Sequence, residues 1–209
     1  MDIRTRFVDK DPDEILATIV DAVRSQIYTA LPVRVAQDSA DGHTVNLTST
    51  IQAVQRNPDG TQSLVSLPMF MGVPIHHTGG GGVTVTHQHT KDDEGLVVFS
   101  SRSMDAWFQQ GGEQKQVDAR MHDLSDGVYL PGVRSNPRKL QGVSTNSTQT
   151  RTDDKKSLHD VSHSAITAIR ELAAHQINAA AIQAQLKGAS HIVDAMSIQH
   201  IASKILLNC

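Results

Sequence analysis

The spacing of apolar positions changes twice along the chain. In "DPDEILATIVDAVRSQIYTALP", Leu16, Ile19, Val23 and Ile27 keep helical spacing, so one stripe of a helix is apolar. Asp11 can serve as its N-cap, Pro12 sits at the first helical position, and Glu14 lies three residues after the cap. Pro32 follows the end. The acidic first turn suits the helix dipole. Such a stripe needs a surface to dock on.

From Pro32 to about residue 108 the period shortens to two. "LPVRVAQ", "HTVNLTSTIQAVQ", "TQSLVSLPMF", "GVTVTHQHT" and "EGLVVFSS" are rich in Val, Ile, Thr and Phe, several in alternation. "NPDG" at 57–60 is a turn able to join two antiparallel strands. Five short strands with turn signals predict a small Greek-key barrel of the OB-like kind, in which closure removes exposed edges. Residues 109–142 hold glycine, proline and polar clusters with little periodicity and read as an ordered connector. "VSTNSTQTRTDDKKSLHD", hydroxyl-rich and charged, reads as a linker.

The last part is rich in Ala and Ile. An A-x-x-I element recurs at Ala174–Ile177, Ala179–Ile182, Ala189–Ile192, Ala195–Ile198 and Ala202–Ile205. Successive Ile steps of 5, 10, 6 and 7 residues cannot share one stripe of a helix, because steps of 5 and 10 turn it by about 140° and 280°. Gly188 interrupts a helix, and "SHIVDAMSIQHIASKILLNC" has the branched and small residues of short strands. Short repeats of this kind belong to solenoids, in which each unit buries its face against neighbours. A helical hairpin is the competing reading, and residues 160–176 can be written either way. The strand reading is favoured.

Composition sharpens this picture. Only 3% of the 209 residues are aromatic, and aromatic side chains supply much of the area that a core buries. A chain so composed gains burial by oligomerising. The net charge of −3 offers no basic field for nucleic acid. No apolar run is long enough for a membrane-spanning helix, and the start lacks the apolar region of a secretory signal. The single Cys, Cys209, excludes an intrachain disulfide.

Few groups invite chemistry. "THQHT" sets His87 and His89 two apart, on one face if the segment is a strand. Multiplied near a symmetry axis they could hold a transition metal, although two solvated histidines are the simpler reading. His76 and His77 add no ligand spacing. "ARMHDLSD" gathers His122, Asp123, Ser125 and Asp126 without a nucleophile elbow, and its aspartates suit turn caps. "GGGG" at 79–82 lacks the Lys of a phosphate loop. The lone Trp107 is expected in a core or interface. No enzyme is expected.

Within residues 10–150, "GGGG", "EGLVVFSSRSMDAWFQQGG" and "ARMHDLSDGVYLPGVRSNP" resemble the baseplate central spike proteins of contractile-tailed phages. The resemblance implies a mainly β homotrimer. An N-terminal helical segment (1–31) would precede an OB-fold-like barrel (32–130), a connector (131–158) and a C-terminal trimeric β-helix spike (159–209). It implies a virion protein made in the host cytoplasm and placed at the tail baseplate tip, driven through the host outer membrane when the sheath contracts. Baseplate hub and tail-tube proteins would be its partners, without specific nucleic acid. Ile177, Ile182, Ile192, Ile198 and Ile205 would then face the trimer axis. Many members end in a His-x-His pair that holds iron at the tip; "HIASKILLNC" has none, which implies a separate capping protein or a metal-free tip. The rival readings are an OB-fold module for nucleic acid or carbohydrate with a helical oligomerisation tail, and a metal hydrolase using His76, His77, His87 and His89. A lysozyme-bearing hub, the remaining rival, lacks a separate domain with paired carboxylates.

Overall fold

The computed structural model describes residues 12–57, 59–170, 173–178, 181–186, 189–194 and 198–202. The chain divides into two compact units, Met1–Pro137 and Arg138–Cys209.

The first unit opens with helix α1, Pro12–Arg24. Asp11, the expected cap, lies outside the described residues. The expected apolar stripe forms but stays uncovered among the described residues. Leu16, Ile19 and Val23 stay more than half exposed, at 62%, 52% and 55%.

Strands β1 (Ala30–Val35) and β2 (Thr44–Ser49) follow. A hairpin of β3 (Ala53–Arg56) and β4 (Gln62–Val65) comes next, then β5 (Phe70–Pro74). A second hairpin pairs β6 (Thr78–Gly80) with β7 (Val83–Val85), and β8 (Glu94–Phe99) comes after it. Helix α2 (Asp105–Gln110) precedes β9 (Gly127–Pro131). Five of the strands make one antiparallel sheet in the order β5-β2-β1-β8-β9. Alternation places Val33 and Val35 of β1, Val45 and Leu47 of β2, and Val97 and Phe99 of β8 in one core, with Phe70, Val73 and Tyr129. A register shift between Val45 and Leu47 marks a bulge, which bends a strand and raises its twist. The sheet curls until its outer strands meet. Ile75 and Tyr129 form a parallel bridge, and the His76 amide donates to the Tyr129 carbonyl at 2.9 Å.

Two glycines permit this curl. Tyr129 lies over Gly95, where a Cβ would collide with the ring and sit 2.6 Å from the Leu130 carbonyl oxygen. A Cβ on Gly127 would sit 2.7 Å from Val97 Cγ2. The turn at 57–60 joins β3 and β4 as expected, with the Gly60 amide donating to the Asn57 carbonyl at 3.0 Å. Gly81 and Gly82 turn the second hairpin with φ of 60° and 82°, the double positive φ of a type I′ turn.

The structure corrects the expectations in three places. β9 lies inside the stretch read as a connector, and its Tyr129 is among the largest fully buried side chains. The stretch "TQSLVSLPMF", read as one strand, divides into β4 and the start of β5, and β5 runs on to Pro74 as a core strand through Phe70 and Val73. Trp107, expected in a core or an interface, is 53% exposed on α2 and so lies outside the core of the single chain.

The second unit begins at the end of a 3₁₀ turn, Asn136–Arg138, that straddles the boundary. It continues as β10 (Ser147–Arg151), β11 (Ser157–Ser162), β12 (Ala165–Arg170) and β13 (Ala173–Asn178). β14 (Ala181–Leu186), β15 (Ala189–Asp194) and β16 (Ile198–Ala202) complete it. These seven strands make one antiparallel sheet in sequence order, a meander in which each strand pairs with the next. The supposed linker is therefore its first hairpin. The Thr152 hydroxyl donates to Asp154 at 2.7 Å, the Lys156 amide donates to the same carboxylate at 3.0 Å, and Lys155 takes φ of 60°. Asp160 accepts from the Ser147 hydroxyl at 2.6 Å and from Gln149. Residues 160–162, 165–170 and 173–176 are strand, not helix.

Candidate functional site: an uncovered branched ladder

β11 to β15 begin at Ser157, Ala165, Ala173, Ala181 and Ala189, one strand every eight residues. Six-residue strands in an eight-residue unit return each strand to the same register against its neighbour. Directly paired residues of an antiparallel sheet share a face. Successive pairings therefore draw straight rows across the meander.

One row runs Thr148, Val161, Ile166, Ile177, Ile182, Val193 and Ile198. All but the first are β-branched and apolar, the residue class that packs well on a pleated surface. Within one chain the row is uncovered: Val161 is 41% exposed, Ile166 44%, Ile177 41% and Ile182 49%. Beside it, through the middle of each strand, runs Thr150, His159, Ala168, His175, Ala184, His191 and His200. The opposite face carries the polar row Gln149, Asp160, Thr167, Gln176 and Gln183, half-buried, beside the apolar pair Leu158 and Ile169. The meander thus turns an apolar ladder to solvent on one face and sets a half-buried polar row on the other.

The five isoleucines proposed for a trimer axis do not share one row. Ile177 and Ile182 pair directly, and Ile198 follows through Val193. Ile192 is one residue out of step and pairs with Gln183 and Gln199. Ile205 lies outside the described residues. The eight-residue step is the signal that separates Val193 from Ile192, and the A-x-x-I pattern hides it.

His87 and His89 fall in the loop after β7 rather than on a strand. His87 is exposed. His89 is buried at 4% exposure, its ring edge-on to Tyr129 with centroids 5.8 Å apart and 6.3 Å from His77. Burial pushes the His89 pKa below 6.5 against the pull of Asp93, and His77 and His87 push it the same way. The same burial, with Asp93 nearby, pushes Tyr129 up to about 12. Among the described residues no three His, Cys, Asp or Glu of one chain gather as a metal site.

The "ARMHDLSD" run is an anchor. Arg120 donates to both oxygens of the fully buried Asp126 at 2.7 and 3.0 Å, to Asp105 at 2.6 Å and to Asp118 at 3.2 Å. Asp126 also accepts the Met104 amide at 2.9 Å. These carboxylates raise the Arg120 pKa still further, the Asp126 hydrogen bonds most of all. Asp123 caps a turn by accepting the Ser125 amide at 2.9 Å, which lowers its pKa. This hub ties α2 to the chain entering β9.

Residues 31–132 match the family described as "Phage protein Gp138 N-terminal domain". The match spans the curled sheet from β1 to β9 and supports a phage structural protein, a component of the virion. No curated protein matches the chain.

Proposed function

We propose that this chain is a homotrimeric central spike at the tail baseplate tip of a contractile-tailed phage, driven through the host outer membrane when the sheath contracts. The observation that carries the reading is the uncovered ladder from Val161 to Ile198 on a sheet that follows a phage N-terminal domain. Three meanders can turn their ladders toward one axis, each supplying one wall of a needle. Fully burying a Val or Ile stabilises by about 1.5–3 kcal/mol. Covering the four described half-exposed residues in each of three chains therefore contributes on the order of 10 kcal/mol. A row of like side chains repeated by strand pairing also gives a shaft that resists bending, because every layer is hydrogen-bonded to the next.

The first unit would seat the spike. Its order β5-β2-β1-β8-β9, with β9 returning beside β5, supports an OB-like barrel. The exposed stripe of α1 and the two projecting hairpins offer apolar surface, including Val54, Leu64 and Val83, to hub and tail-tube neighbours. The host outer membrane is met only in passing, and a separate protein would cap the tip. The work is mechanical and asks for no catalytic group.

The test is placement in the particle. Gold-labelled antibody against residues 138–209 should decorate the tail tip of intact virions, and an Ile166→Asp chain should be missing from purified particles. Label on the capsid or along the whole tail, or normal incorporation of the Asp variant, would overturn the proposal.

A further inference from the structure

The middle row of the same face has a second property. It alternates large and small, His159, Ala168, His175, Ala184, and then His191 and His200 follow. The rows run through the centre of six-residue strands. At about 3.3 Å per residue each wall is about 20 Å wide, so three equal walls leave about 6 Å from the middle of a wall to the axis. One imidazole and a metal–nitrogen bond of about 2 Å cover that distance. We infer that in the trimer His159 and His175 form two rings of three imidazoles around the axis, each a binding site for one divalent transition-metal ion.

The inference rests on the trimeric reading, since each chain gives one ligand per ring. Imidazole nitrogens carried into an axis need partners, and their row neighbours Ala168 and Ala184 supply none. A transition metal satisfies three of them at once, and imidazole is a ligand that Zn²⁺, Ni²⁺ and Cu²⁺ accept well. Strands lie about 4.8 Å apart, so rings two strands apart are about 10 Å apart and act as separate sites. The alanine layers between them let the walls close. These rings lie in the body of the shaft, and a tip site would be a different set of residues.

The experiment uses the full chain, purified without a polyhistidine tag, stripped with chelator and dialysed against micromolar Co²⁺. Mass is read by sedimentation equilibrium, metal by elemental analysis, and coordination by the visible Co²⁺ spectrum. A trimer is expected to retain Co²⁺ with the absorption of a nitrogen-ligated ion. His175→Ala should lose about one ion per trimer while remaining trimeric, because Ala already occupies alternate places in that row. His87→Ala, the exposed loop histidine, should lose none. A trimer that retains no Co²⁺ overturns the site and leaves the spike standing. Full retention in the double variant His159→Ala/His175→Ala overturns it equally. A chain that is not trimeric overturns both readings.

Discussion

Replacing Asp126 by Asn is the sharpest test of how the first unit is held. The Asp126 side chain is fully buried, and its two oxygens face Arg120 at 2.7 and 3.0 Å. Asn keeps the shape and one acceptor but turns an NH₂ toward the guanidinium and removes the charge. Breaking a buried pair by removing one partner costs about 3–5 kcal/mol. Arg120 is 21% exposed and keeps Asp105 and Asp118, so the expected loss falls to about 2–3 kcal/mol. Asp105→Asn removes a partner that is 51% exposed, and should cost under about 1 kcal/mol. Trp107 makes the measurement local, being the only tryptophan and lying on α2, the helix that begins at Asp105. Guanidinium denaturation followed by its fluorescence should rank Asp126→Asn well below Asp105→Asn and wild type. Equal losses in the two variants, or a loss under about 1 kcal/mol for Asp126→Asn, would refute the argument from burial.

Further outcomes follow from the same contacts. Gly95→Ala forces a methyl against the Tyr129 ring and the Leu130 carbonyl, so it should cost about 1–3 kcal/mol by overpacking, read by the same denaturation. His89 is held below pKa 6.5 by burial, so as pH falls the unfolded chain takes up that proton first. Stability should be flat in this respect above neutrality and should decline as pH drops through about 6.5. His89→Gln should remove that part of the slope in a titration of stability between about pH 5 and 8. An unchanged slope would contradict the buried neutral imidazole. Ile182→Asp would place three carboxylates in one layer of the proposed trimer, and should abolish assembly through unpaired buried charge, detected as loss of the trimer on size-exclusion chromatography.

How far the fold could be read from the residues depended on where each strand finds its partner. β1, β2 and β8 announce themselves, because Val33 and Val35, Val45 and Leu47, and Val97 and Phe99 alternate with polar or exposed positions. β5 and β9 do not. "FMGVP" and "GVYLP" are five residues long and carry Gly and Pro, which are turn signals when read locally. Their strand character comes from neighbours far along the chain, such as Gly95 making room for Tyr129. Asp126 shows the same limit: within "ARMHDLSD" it looks like a turn cap, and only tertiary structure brings Arg120, Met104 and its own carboxylate together. In the second unit, strand type was legible from the branched residues and from the Ile spacing that no helix accommodates. The register was not, because Ala at every eighth position is masked by the shorter A-x-x-I recurrence. A one-residue shift exchanges the two faces of a strand, and the partner of Ile182 is Val193 rather than Ile192. The histidine row could not be seen without that register.

The central claim is that the branched ladder is an interior that a single chain leaves open. The native mass of the full-length protein by sedimentation equilibrium tests it most directly. A single species of three times the 22.7 kDa chain mass is the predicted result. A stable monomer of 22.7 kDa, with its seven-strand sheet intact, would contradict it.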